Sequence, residues 1–338
     1  MKTRFTELVG CSVPIQLAAM GSLGLPPLAA AVATAGGLGM LGWNAAPPDH
    51  LVWMLEETRR RTQGVFGVNF IVDGWRDTPS GEIEPDGLEA VRIASSRARV
   101  VEFFYAPPDR LLVEAAHAGG ALVSWQVGST DEAIRAEQAG CDFVVAQGIE
   151  AGGHVRGTAE LFALLPEVVR SVKLPVVAAG GIGTRANVTR ALSGGAEAVR
   201  IGTRFVAASE SEAHPSYIDR LVAASADDTV LTEAFSNNWP NAPHRVLAGC
   251  VKAMEQTTEE LVGDSARPWA PAIRVPVHRG DAVVPLNVTK GRIEAMPHWA
   301  GKSVGTVTKR SPAAEIIEEL FTEAESHEHS GAGIDREL

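Results

Sequence analysis

Short apolar runs separated by longer amphipathic stretches set the rhythm of the chain. Eight runs have the length and apolar continuity of buried parallel strands: Pro14–Ala18, Leu38–Gly42, Phe66–Val72, Val100–Phe104, Ala121–Gln126, Phe143–Gln147, Val176–Ala179 and Ala198–Gly202. Most begin about 20–30 residues apart, the span of one strand–helix unit. The junctions carry matching punctuation. Gly36-Gly37, Gly119-Gly120, Gly140 and Gly194-Gly195 stand just before runs, where a helix can end in the left-handed conformation. Ser129 with Glu132 spells a capping box, and Thr184 can cap a helix over Arg185–Leu192. Eight strands alternating with helices predict an α/β fold, a (β/α)8 TIM barrel. An open doubly wound sheet is the competing topology.

The eighth run ends near Thr203. Beyond it, Ser216–Ala226 and Pro243–Gln256 read as helices, and Pro268–Met296 as an irregular, proline-rich stretch. Ser311–Glu325 is amphipathic, with Ile316, Ile317, Leu320 and Phe321 on one face. The expected layout is a barrel from 1–210 plus about 301–325, and a smaller, mainly helical cap at about 211–300 over the barrel mouth. Residues 326–338 read as a disordered polar tail, in which His327 and His329 are solvated rather than metal-bound.

Active sites of such barrels lie at the C-terminal ends of the strands. The seventh run leads into Gly180-Gly181-Ile182-Gly183-Thr184 and the eighth into Gly202-Thr203. One glycine-rich turn would mean only a tight turn. Two on adjacent strands point to a phosphate site, because bare backbone and helix N–H groups favour an anion there. The sixth run leads into Gln147-Gly148-Ile149-Glu150-Ala151-Gly152-Gly153-His154. Small residues there let a flat ring lie against the backbone, and His154 has the side chain of a general base. The bland alternative is a loop histidine satisfied by water. Asn69 lies inside an apolar run and Gln126 at the end of another, so each amide needs a partner from the backbone or a ligand. Asp142 starts the sixth run, on the opposite face of the barrel, and reads as a stabilising residue.

Composition removes several function classes. With 45% hydrophobic and 21% charged residues the chain is an ordinary globular sequence. A formal net charge of −11 argues against a nucleic-acid partner. Cys11, Cys141 and Cys250 are odd in number and far apart, which argues against disulfides or a zinc site and fits a reducing, cytoplasmic location. None stands at a strand's C-terminal end, which weakens a flavin-free, phosphate-ligand barrel of the IMP-dehydrogenase type, whose chemistry needs a cysteine nucleophile. The apolar stretch Leu25–Trp43 contains Pro26, Pro27 and four glycines, so it reads as a buried helix and strand, not a membrane span. Gly180-Gly181-Ile182-Gly183 does not have the spacing of a Rossmann fingerprint.

These residues carry a family resemblance. Gly67-Val68-Asn69-Phe70, the Ala146-to-His154 segment, Pro175 through Ile182, Gly202-Thr203-Arg204-Phe205, Ala213-His214-Pro215 and Trp239 through Arg245 resemble the nitronate monooxygenases, formerly 2-nitropropane dioxygenases. The match runs from about Pro14 to Leu247, with a weaker echo near Ala300–Glu325. The resemblance implies FMN, with Asn69, Gln147, Gly152, Gly181 and Arg200–Thr203 around it, Met20 and its neighbours nearby, and His154 as the catalytic residue. Members often carry Gln where Arg200 stands. With the strand-end readings, the candidate cofactor-binding set is Ala19, Met20, Asn69, Gln126, Gln147, Ala151, Gly152, Gly180, Gly181, Gly202 and Thr203, with no metal ligand. The implied activity is oxidation of alkyl nitronates or nitroalkanes by O2 to a carbonyl compound and nitrite. Enoyl-acyl carrier protein reductases and quinone reductases that use FMN and NAD(P)H look similar and form the alternative; a non-catalytic flavin-binding protein is the third class. Expected partners are a small-molecule substrate and O2, without nucleic acid or membrane; the sequence leaves the oligomeric state open.

Overall fold

Short runs of mostly apolar residues form strands buried on both faces. A computed structural model describes residues 1–43, 47–78, 81–237, 239–267 and 270–322. The eight runs appear as β1 (Ile15–Leu17), β2 (Gly39–Trp43), β3 (Phe66–Ile71), β4 (Val100–Phe104), β5 (Leu122–Val127), β6 (Phe143–Gln147), β8 (Val176–Ala179) and β9 (Ala198–Ile201); β7 (Gly153–His154) is a short extra strand. All neighbours in the eight-stranded sheet are parallel, in the order β1-β9-β8-β6-β5-β4-β3-β2. Leu17 N–H donates to Leu38 O at 2.9 Å and Leu38 N–H to Ile15 O at 2.8 Å, which joins β1 to β2 and closes the barrel. Phe5, on the helix Arg4–Val9, meets Phe143 edge-on at 5.3 Å and plugs the N-terminal end.

Helices alternate with the strands as the punctuation requires. Thr184 Oγ1 accepts from Asn187 N–H at 3.2 Å and caps Arg185–Ser193. Ser129 likewise accepts from Glu132 N–H, and Gly140 ends that helix at φ 99°. The reciprocal half of that capping box is different. The Glu132 carboxylate reaches Gly128 N–H and the Arg156 guanidinium instead, tying the β5 mouth to the loop after β7. The last wall helix, Ala313–Phe321, packs beside the helices Pro26–Thr34 and Arg185–Ser193, so it completes the ring. Asp142 accepts from Val123 N–H at 2.7 Å and contacts His117, far from the mouth.

The excursion between β9 and the last helix keeps one helix read from the sequence and differs from that reading in two respects. Ser216–Ala226 is the helix Pro215–Ala223. The segment read as a helix from Pro243 begins with a strand, β11 (His244–Leu247), and turns helical only over Ala248–Gln256. Val246 and Leu247 bury their side chains, and β11 pairs antiparallel with β10 (Thr229–Thr232) and with β7. Pro268–Met296, read as irregular, instead holds most of a hairpin: β12 (Leu261–Arg267) pairs with β13 (Ala270–His278) and with β14 (Lys290–Gly291). Pro271 and Pro276 sit on β13, an edge strand that has no second neighbour among the described residues to receive an N–H. This region therefore mixes strand and helix rather than being mainly helical. Pro268 and the tail 326–338, with His327 and His329, lie outside the described residues. No helix among the described residues is long and apolar enough to cross a membrane.

Candidate active site

A cavity of about 840 Å³ opens at the C-terminal ends of the strands. That volume lies toward the upper end for small-molecule sites. Ala19, Met20, Asn69, Gln126, Gln147, Ala151, Gly152, His154, Gly180, Gly181, Gly202 and Thr203 all line it. So the structure gathers the whole candidate set around one cavity.

The glycines there are needed for space and for backbone shape. Gly180 and Gly181 have φ of 111° and 68°, values that side chains rarely adopt. A Cβ on Gly152 would sit 2.4 Å from Gly301 N, so the loop after β6 and the segment after the cap touch backbone to backbone. Gly301 N–H donates to Thr203 Oγ1 at 3.0 Å. Gly180, Gly181, Gly202, Thr203, Gly301 and Ser303 thus converge from three chain segments around one end of the cavity. Gly301 and Ser303 had no signal in the sequence, because they follow the cap.

The cavity floor is polar and ionic. Glu102, at the middle of β4, is 0% exposed, and its carboxylate accepts from Gln16 Nε2 at 3.0 Å, Asn69 Nδ2 at 2.9 Å and Ser124 Oγ at 3.2 Å. It also pairs with the buried Arg200 guanidinium, which donates a second hydrogen bond to Gln126 Oε1. A carboxylate only accepts and a guanidinium only donates. Asn69 must therefore turn its NH₂ down to Glu102, and Gln126 its carbonyl toward Arg200. That leaves Asn69 Oδ1 and Gln126 Nε2 without protein partners among the described residues, one acceptor and one donor on cavity-lining side chains. Glu102, Gln16 and Ser124 were missed in the sequence; a carboxylate inside an apolar strand was the available signal.

His154 stands at the other side of the cavity among aromatic rings. Its ring lies 4.0 Å from Trp239, 5.4 Å from Trp299, 5.3 Å from His244 and 5.9 Å from Tyr105, centroid to centroid. Burial, and secondarily His244, hold its pKa down to about 3, so the imidazole is neutral at ordinary pH. Among the described residues no group hydrogen-bonds its ring nitrogens. Its main chain is fixed: β7 pairs with β11, and Gln147 donates to His154 O at 3.0 Å while accepting from Arg156 N–H at 3.4 Å. Gln147 thus spends its amide on the loop that carries the histidine. Tyr105 holds φ 75°, an uncommon value for a bulky residue, and its carbonyl accepts from the Arg156 guanidinium. Trp239 Nε1 is anchored on Asp73 at 2.8 Å.

His214 and His244, from two of the other sequence motifs, hold backbone in this geometry. His214 Nδ1 caps the helix Pro215–Ala223 by accepting from Ser216 N–H. His244 donates from Nδ1 to Ala242 O and accepts at Nε2 from Phe235 N–H. None of the three cysteines lines the cavity, and burial raises the thiol pKa of Cys11 and Cys250 to about 11. From the cap, Ser265, Ala266, Val275, Pro276 and Val277 on the hairpin close the cavity roof.

Comparison with known proteins gives the chain a family. The family model described as nitronate monooxygenase matches residues 2–323. A nitronate monooxygenase of Paraburkholderia phytofirmans is 30% identical, over 95% of this chain and 95% of its own. The solved structure of FabK from Thermotoga maritima is 35% identical with a TM-score of 0.75, covering 95% of each chain. A nitroalkane oxidase structure from Streptomyces ansochromogenes is 28% identical with a TM-score of 0.72, covering 94% of this chain and 96% of its own.

Proposed function

The chain belongs to the nitronate monooxygenase family of oxidoreductases, and on that premise we propose that it oxidises alkyl nitronates and nitroalkanes with FMN and O2, yielding a carbonyl compound and nitrite. The observation that carries this reading is a neutral, unbonded imidazole facing a cavity whose far end is built from glycine turns.

The residues present fit FMN. The Gly180-Gly181 and Gly202-Thr203 turns, with Gly301 and Ser303, suit its phosphate, since a side chain at Gly180 or Gly181 would strain the backbone that bends around that end. Asn69 Oδ1 and Gln126 Nε2 offer an acceptor and a donor to the polar edge of the ring system. Ala19, Ala151 and Gly152 present little bulk to its faces, and Met20 a pliable one. Bound FMN would supply the electron acceptor, which no side chain can.

The protein's own part is proton transfer, orientation and exclusion of water. For a neutral nitroalkane, His154 takes the α-proton at a ring nitrogen, leaving a nitronate beside an imidazolium. Burial makes the empty site a weak base, and the negative charge that develops on the nitronate beside His154 raises its affinity for the proton as transfer proceeds. A preformed nitronate needs no base. Trp239, Trp299 and Tyr105 shield the reacting carbon from bulk water, and the β7–β11 pairing with Gln147 holds the imidazole in place.

The likeness to FabK favours a second reading, an NAD(P)H-dependent reductase on the same scaffold. Oxygen uptake and nitrite release with propyl-2-nitronate test the first. Uptake no greater than that of free FMN removes it. Rapid anaerobic bleaching of the bound flavin by NADH or NADPH would establish the second.

A further inference from the structure

The ion pair beneath the cavity has no part in the proton transfer, yet both of its members are buried inside the barrel. Arg200 lines the cavity floor and is 6% exposed; Glu102 lies behind it and is fully buried. Removing two charges from water is costly, and an apolar pair of similar volume would often be as stable or more so. Five strands contribute to the cluster: β1 through Gln16, β3 through Asn69, β4 through Glu102, β5 through Ser124 and Gln126, and β9 through Arg200. Arg200 Nε and Gln16 Oε1 remain buried without partners, so the cluster is not arranged to satisfy itself fully.

The geometry has two consequences for whatever lies on the floor. The pair fixes the orientation of both amides, as derived above. It also leaves a cation nearer the cavity than its counter-anion, since Arg200 lines the cavity and Glu102 does not. In a water-poor interior such a charge acts strongly on a neighbouring ring system. A cation on that side stabilises the form of the ligand that has gained electrons.

We propose that Arg200 and Glu102 together set the electron affinity of the flavin in this enzyme: Arg200 raises it directly, and Glu102 is a positioning residue that orients Arg200 and attenuates its charge. The proposal rests on the flavin reading above. It predicts that this protein holds electrons more tightly than a version of itself with glutamine at position 200.

The test compares FMN-loaded wild type, R200K, R200Q, E102Q and the double variant E102Q/R200Q. Midpoint potential and sulfite affinity are read beside melting temperature and FMN affinity. E102Q, with the cation uncompensated, is expected to bind sulfite about tenfold more tightly; a tenfold change in a two-electron equilibrium corresponds to about 30 mV. The double variant, with no charge left, should lie about tenfold below E102Q, and R200K should stay near wild type. R200Q alone leaves Glu102 buried without a cation, so if it does not fold the double variant carries the comparison. Equal sulfite affinity and potential in E102Q and E102Q/R200Q overturn the proposal. So does a folded E102Q that no longer binds FMN, because the pair would then be a binding determinant. Failure of the wild type itself to bind FMN is a different result, and sinks the flavin reading instead.

Discussion

His154 and His244 face each other across the β7–β11 pairing with ring centroids 5.3 Å apart and planes tilted by 30°. Their environments divide the labour. His244 has both ring nitrogens hydrogen-bonded to backbone, whereas the ring of His154 has no hydrogen-bond partner among the described residues. One is a fixed neutral wall and the other is free to accept a proton.

Replacing His154 by alanine should lower kcat/KM for a neutral nitroalkane by about 10²–10⁴-fold, the usual range for a general base. A preformed nitronate should lose much less. Steady-state kinetics with both substrate forms, at equal flavin loading, check this. Equal losses would mean that His154 does not move the proton.

The same burial predicts a pH dependence of stability. The folded pKa of His154 is depressed to about 3 from an ordinary value of 6.5, and that of His298 to about 3 as well. Above pH 6.5 both states are neutral and nothing is lost. Below it the unfolded chain binds protons that the folded chain refuses, so stability falls progressively from pH 6.5 toward pH 3. Thermal melting between pH 7 and 4 should show a shallower acid decline in His154→Gln than in wild type. Parallel slopes would contradict the assigned burial effect.

Two neighbouring glycines should respond differently to alanine. At Gly152 the new methyl would meet Gly301 backbone at 2.4 Å and cannot be relieved by side-chain movement. Gly152→Ala should cost about 1–3 kcal/mol and weaken FMN binding. Gly153 has φ 74° but open space around its Cβ position, so Gly153→Ala should show the backbone penalty with FMN binding retained. Denaturant melts and flavin titrations of the pair separate the two.

The barrel was legible because eight apolar runs recur about one strand–helix unit apart, from Pro14–Ala18 to Ala198–Gly202, and several of them are preceded by a helix-ending glycine. Most of the candidate set was legible because its members end a strand or follow one; Asn69 stood out instead as an amide inside an apolar run. Three things were not. Glu102 looked like part of an apolar run, since β4 is buried throughout and its one carboxylate is matched only by partners on other strands. The hairpin was masked by its prolines, which an edge strand tolerates. Gly301 joins the site through a contact with Gly152 that no local pattern announces.

The roof suggests how substrate length is controlled. Val275 and Val277 reach the cavity from the hairpin. Val275→Trp should raise KM for long-chain nitronates several-fold while leaving two- and three-carbon substrates nearly unchanged. A uniform change across chain lengths would place substrates elsewhere in the cavity.

The order in which the chain supplies these parts has a consequence for synthesis. When the eighth barrel strand has left the ribosome, the hairpin, Gly301 and the last wall helix are still to come. Ligand capture must therefore wait for nearly the whole polypeptide, and a premature stop before residue 301 would release a barrel with a gap in its ring and a half-walled pocket.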